Sequence, residues 1–217
     1  MRNLLLPAAE KRKQFELRAL GLREFAGVND DQPLDPFALA NFAKLLVVDF
    51  NTIEGLSDES RAHLLGAAAD EWSGGACSQP LPNGWRVVIL NPAHGPQRNR
   101  ATLMEEVAHV FLGHKANRLA AITTDDAPGQ SQVSGGQSRG RMLARDYNQA
   151  DEEAAYAVGA AALVPFGSLR GQVLQGRNSR EIARHFRVSR QLIEYRIKVT
   201  LLWPEYKRLS ATRPKHV

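Results

Sequence analysis

Apolar residues along this chain fall mostly three and four apart, the spacing of helices that bury one face. Between residues 8 and 26, Phe15, Leu17, Leu20, Leu22 and Phe25 stand among charges and predict an amphipathic helix. A turn-like run with Asp30, Asp31 and Pro33 follows, and residues 36–47 predict a mostly buried helix with Pro36 in its first turn. Ser57-Asp58-Glu59-Ser60 can cap a further helix reaching to about Trp72. The pattern breaks at Trp72-Ser73-Gly74-Gly75-Ala76. After a turn around Pro80, Pro82, Asn83 and Gly84 comes the clearest strand, Trp85-Arg86-Val87-Val88-Ile89-Leu90, rich in β-branched residues and closed by Asn91-Pro92.

Thr102 to His114 predicts a buried helix: Leu103, Val107, Val110 and Phe111 recur at helical spacing, and Gly113 offers a C-terminal stop. Residues 118–124 predict a short strand. Residues 125–140, dominated by Gly, Ser, Gln and Asp, have almost nothing to bury and predict a mobile loop, either a lid or a plain insertion. From Asp151 to Val164 the pattern is helical again and rich in Ala and Gly, so this helix can approach another closely before Pro165 stops it.

The chemistry sits on the helix from Thr102. Zinc peptidases carry H-E-x-x-H, in which two histidines one turn apart bind the metal and the intervening Glu activates water. Here the five positions are Glu105, Glu106, Val107, Ala108 and His109, so the general-base Glu and the second His are present and the first His is a Glu. Glu105 has two readings, a carboxylate metal ligand or the return arm of a capping box with Thr102. Glu106 is either the general base or the partner of a buried Arg98 or Arg100. His114 is expected exposed just past the helix, near enough to substitute as a ligand.

These residues resemble the ImmA/IrrE metallo-endopeptidases. The resemblance rests on Arg98-Asn99-Arg100-Ala101-Thr102-Leu103-Met104, on the E-x-x-H helix ending Phe111-Leu112-Gly113-His114, on the small-residue helix ending Leu163-Val164-Pro165, and on the segment from Ile182-Ala183 to Val188-Ser189. It spans roughly residues 83–202. Members are zinc-dependent regulatory proteases with a zincin-like fold, often encoded beside a helix-turn-helix repressor that they cleave or release. The resemblance implies Glu106 as general base and His109 as a ligand, with Glu105 replacing the first His. The family's third ligand falls on Ala154, with Glu152 and Glu153 beside it as the available carboxylates. Zinc is the implied cofactor, but exchanging imidazole for carboxylate makes the site less zinc-selective, so weak or sub-stoichiometric zinc is expected and manganese or iron can compete. The same likeness gives the strand at 85–90 two readings: an edge strand that receives a substrate backbone, or an ordinary core strand.

Charge separates the C-terminal part from the rest. Residues 171–217 hold 11 Lys/Arg against three acids, and residues 1–170 hold 17 against 20. Such a basic excess suits nucleic acid or an acidic partner, or is a solvated helical surface. Ser179 to Arg196 has helix-turn-helix spacing, with a turn at Arg187-Val188-Ser189 where Arg187 replaces the usual Gly. Arg180, Arg184, Arg187, Arg190, Gln191, Arg196 and Lys198 are the candidate DNA- or partner-binding residues, with structural packing the competing role. The expected class is α+β, mostly helical with a small sheet: a zincin-like domain over residues 1–170 and a basic helix-turn-helix-like domain over 171–217. The lone Cys77 excludes an internal disulfide. The short apolar run near Met1 is too short for a signal peptide and no segment is long enough to span a membrane, so a soluble, cytoplasmic protein is expected.

Overall fold

The structure, a computed structural model, describes residues 5–77, 79–114 and 148–211. The strand expected at 118–124 and the loop at 125–140 lie outside the described residues. Those described form an α+β fold with nine α-helices and one three-stranded sheet. Helix α1 (Glu10–Phe25) turns Phe15 and Leu22 inward as the pattern predicts, together with Ala19, but leaves Leu17 and Phe25 exposed, and Glu16 and Arg23 are buried on its flank. Arg23 is there because backbone carbonyls meet it: it donates to Ala162, Asn29 and Gln32.

Helix α2 (Pro36–Phe42) is capped by Asp35, whose side chain accepts from the Phe37 amide. It stops five residues before the expected Val47. Lys44 turns the chain at φ 54°, and Leu45–Val48 becomes strand β1. An aliphatic quartet suits either state, and pairing with a neighbouring strand decides it. Helix α3 (Asp58–Leu65) begins at the Ser57 cap as expected but ends at Gly66, well short of Trp72. The Trp72 indole instead folds back to donate to the Leu64 carbonyl at 2.9 Å and packs on Phe50.

The glycine break at 74–76 is a strand, β2 (Gly74–Ala76), which pairs antiparallel with β3 (Arg86–Leu90); β1 pairs parallel with β3 on the other side. Thus β3 is central, not an edge, and its ladder positions are taken on both sides. Gly74 has φ 152°, and a Cβ there would stand 2.7 Å from the Ile89 carbonyl oxygen, so the close strand pairing requires glycine.

Helix α4 (Pro96–Phe111) packs on the sheet and α2; α5 (Gln149–Leu163) packs on α4 and α1. Helix α6 (Phe166–Leu174) leads to α7 (Ser179–Phe186), α8 (Arg190–Val199) and α9 (Trp203–Ala211). Between α7 and α8, Arg187 adopts φ 55° and ψ 42°, the left-handed conformation the turn demands, and the Ser189 side chain caps α8. The expected boundary between residues 170 and 171 falls inside α6. Ile182, Phe186, Ile193 and Ile197 join the same core as Leu103, Met104 and Val158. A buried ion pair, Arg196 to Glu16 at 2.6 Å, fastens α8 to α1. Among the described residues no single helix is long and apolar enough to cross a membrane.

Candidate metal centre

Helix α4 starts at Pro96, capped by Gly95, six residues before Thr102. Thr102 is therefore interior to the helix, and the capping-box reading of Glu105 is overturned: its backbone partners are already taken by the preceding turn. Glu105 and His109, four apart, share one face of α4.

Helix α5 supplies a third donor to that face. Its contact stripe runs Glu152, Ala155, Gly159, again three and four apart. Ala155 is fully buried, and a Cβ on Gly159 would stand 3.2 Å from the Met104 carbonyl oxygen and 3.3 Å from the Glu105 amide nitrogen. Small residues bring the two backbones together, and the carboxylate at the end of the stripe is carried onto α4. One ligand atom each from Glu105, His109 and Glu152 lies within 4.8 Å of the others, and this half-buried group can hold a metal ion. His109 Nε2 stands 3.6 Å from Glu152 Oε2.

The end of α4 adds a second histidine. Gly113 at φ 71° lets the chain reverse, with the His114 amide donating to His109 O at 2.9 Å and the Gly113 amide to Val110 O at 3.0 Å. These paired bonds are a Schellman motif. They fold His114 back so that its Nδ1 lies 3.1 Å from His109 Nδ1, while its Nε2 lies 3.6 Å from Asp151 Oδ1. His114 is thus half-buried against the site, not exposed beyond the helix as expected.

Electrostatics favour a cation here. The Glu105 carboxyl is pushed up to about 7, chiefly by burial and then by the charges of Glu106 and Glu152. His109 is lowered, chiefly by burial, although Glu152 pulls the other way. Burial prevails, so at neutral pH His109 is an uncharged imidazole with a lone pair to give, and its contact with Glu152 is not a standing ion pair. Among the described residues, carboxylates crowd around a neutral imidazole, a donor set that a divalent ion can bind. The donor set therefore fits a metal.

Other expected residues divide cleanly. Glu153 is corrected: one residue from Glu152 is about 100° around the helix, and it faces α1, paired with Lys11 at 2.8 Å. Ala154 carries no donor and packs against the core. Glu106 is half-buried beside Glu105. The arginines once considered for it have other partners, Arg98 meeting Ser73 and Asp70, and Arg100 meeting Asp35 and the Leu34 carbonyl. Arg196 is also corrected, because its buried pairing with Glu16 and its bond to Val164 O make it a structural clamp that no partner reaches. Of the rest, Arg190 is held by Glu194 at 2.6 Å and Lys198 lies over the Trp203 ring, while Arg180, Arg184, Arg187 and Gln191 are exposed.

Sequence reasoning passed over Asp151. The available signal was Asn148, an N-cap that places Asp151 in the first turn of α5. Compared with protein-family models, with curated proteins and with solved structures, the chain matches none.

Proposed function

We propose that this chain is a metal-binding, metallopeptidase-like regulatory protein that acts on a protein partner such as a helix-turn-helix repressor. The observation that carries the reading is the convergence of Glu105, His109 and Glu152 from two helices onto one point, with Glu106 alongside. Two carboxylates and one imidazole form a harder, more anionic donor set than that of zinc peptidases, so zinc binds weakly and manganese or ferrous iron competes. Glu105, His109 and Glu152 would hold a divalent ion, which would supply Lewis acidity toward a peptide carbonyl and toward water. Glu106, the next residue round the helix from Glu105, takes the proton of the attacking water and returns it to the leaving amine. The resemblance to the ImmA/IrrE proteins supplies the class of partner.

A second reading has its own observation. Arg180 and Arg184, one turn apart on α7, and Arg187, in the turn just past its end, are exposed and make no ion pair among the described residues. A chain without cleavage activity would then regulate by binding DNA or an acidic partner through this basic stripe.

Metal analysis of protein purified without chelator, followed by zinc and manganese titration, tests the centre. Saturable binding that Glu105→Gln and His109→Ala abolish supports it; equal binding by those variants refutes it. For cleavage, Glu106→Gln keeps shape but cannot take a proton, and should lower turnover of a repressor by ~10²–10⁴-fold. Regulation that survives Glu106→Gln unchanged transfers the function to the basic stripe.

A further inference from the structure

We propose that the outer face of α1 is a homodimer interface, across which two copies of this chain cross in parallel at Gly21. This face is turned away from the core, and nothing in it depends on the metal centre.

Gly21 lies in the interior of α1, where glycine is destabilising relative to alanine because it loses more backbone freedom on folding. A left-handed backbone, or a neighbour that leaves no room for a Cβ, would account for it. Neither is present: Gly21 has no positive φ, and an added Cβ would meet nothing within 4 Å. Within one chain, then, the residue weakens its helix and gains no contact. What a bare Cα on an exposed helix face does permit is the close approach of a second backbone.

The surroundings of Gly21 describe that second backbone. Helix α1 buries Phe15, Ala19 and Leu22, while Leu17, Gly21 and Phe25 follow one another at i, i+4 and i+8 on the solvent side. They form a ridge with an apolar side chain at each end and a notch in the middle. Leu17 is 47% exposed and Phe25 64%, and the Phe42 ring, 71% exposed, meets Phe25 edge-on at 5.5 Å and widens that apolar end. Helices whose i±4 ridges meet cross at about −50°, and a notch at the crossing lets the two ridges come together. Seating Leu17 and Phe25 against their counterparts removes their apolar surface from water.

Charge decides which partner fits, and in which sense. Arg18 and Glu24 stand three residues either side of Gly21, on opposite flanks of the ridge, and both are exposed without an ion pair among the described residues. About a twofold axis running along the helices, Arg18 meets the partner's Glu24, and Glu24 meets the partner's Arg18. About a twofold axis running across them, each charge would meet its own kind, which disfavours association. The face is therefore complementary to itself in one arrangement, as an isologous contact requires. One helix crossing is smaller than a standard interface of about 1,600 Å², so the dimer is reversible and depends on concentration.

Sedimentation equilibrium of the full chain, from low micromolar to millimolar concentration, reads the association. Wild type should pass from monomer to dimer. Gly21→Leu fills the notch and should weaken association about 30-fold or more, the loss expected at the centre of an interface. Leucine is also the better helix former, so the same variant, melted where wild type is monomeric, should unfold about 2–4 °C higher. Weaker association with a raised midpoint excludes a damaged fold as the cause. Arg18→Glu should weaken association about tenfold, and Glu24→Arg added to it should restore the dimer. A wild type that stays monomeric at millimolar concentration, or a Gly21→Leu variant that associates as wild type does, overturns the interface. Loss of the dimer in Gly21→Leu with no response to Arg18→Glu overturns the parallel crossing.

Discussion

The two charged regions of this molecule use ionisable groups in opposite ways. At the α4–α5 junction, Glu105, Glu106 and Glu152 crowd together around a neutral histidine, and burial followed by the two neighbouring carboxylates raises the Glu105 carboxyl to about 7. At the α7–α8 end basic residues outnumber acids, and only some of them are matched. Arg190 is paired with Glu194 and Arg196 is sealed against Glu16, while Arg180, Arg184 and Arg187 are exposed. What marks the acidic junction is the convergence of like charges from two helices onto one half-buried point, not charge density. The basic end combines architecture, in Arg196, with an exposed basic surface, while the acidic junction is a group that can hold a cation.

The largest effect separates architecture from surface. Arg196→Leu removes the cation that Glu16 meets in the core and leaves its carboxyl with one oxygen still accepting from the Phe166 amide. Breaking a buried pair from one side costs about 3–5 kcal/mol. Arg180→Leu, on the exposed stripe, should stay within about 0.5 kcal/mol of wild type. Urea unfolding of the two variants measures the difference; equal, small losses would return Arg196 to the list of partner-facing residues.

Convergence of like charges at the acidic junction has a pH signature. Glu105 has a folded-state pKa of about 7 against an ordinary 4.5, so the folded protein holds that proton more tightly than the unfolded chain does. In metal-free protein its contribution is most favourable below about pH 4.5 and is lost as pH rises through 7, in total about 3 kcal/mol. A bound divalent ion offsets this loss, because it favours the ionised carboxylate. Denaturation curves between these limits, with and without manganese, should diverge as pH rises, and Glu105→Gln should flatten the metal-free profile. A metal-free profile that does not fall through this range would mean that the junction already contains its compensating charge.

The two regions also differed in how far the sequence disclosed them. Ser189 as a cap and Arg187 in a strained turn are local features, written in adjacent residues, and the structure has both. The α4 donors were legible too, since Glu105 and His109 are one turn apart on any helix through them. Which of Glu152, Glu153 and Ala154 joins them was not legible, because that depends on the rotation of α5 against α4, set by the close approach at Gly159. Likewise Leu45–Val48 reads as a helix end until β3 is there to pair with it. The burial of Glu16 and Arg196 requires partners 180 residues apart, and no local pattern announces it.

The smallest effect tests whether the residual α7 surface is more than solvated charge. Arg187 sits at φ 55° and ψ 42°, where a residue with a side chain is strained by about 1–2 kcal/mol relative to glycine. Arg187→Gly should therefore stabilise the fold by roughly 1 kcal/mol, somewhat offset by the greater freedom glycine has when unfolded. If the stripe binds a polyanion, the same change removes one of three contacts. For a duplex DNA probe, the slope of log affinity against log salt should then fall from about −2.7 to about −1.8. The two readouts move in opposite senses, so weaker binding cannot be attributed to a damaged fold. Charge reversal at Arg180 and Arg184 in the glycine variant should remove what remains, while Gln191→Ala, on the neighbouring helix, should change nothing. A salt slope that responds to Gln191 but not to Arg187 would place the contact on α8, in the manner of a reading helix, and would leave α7 as solvated surface.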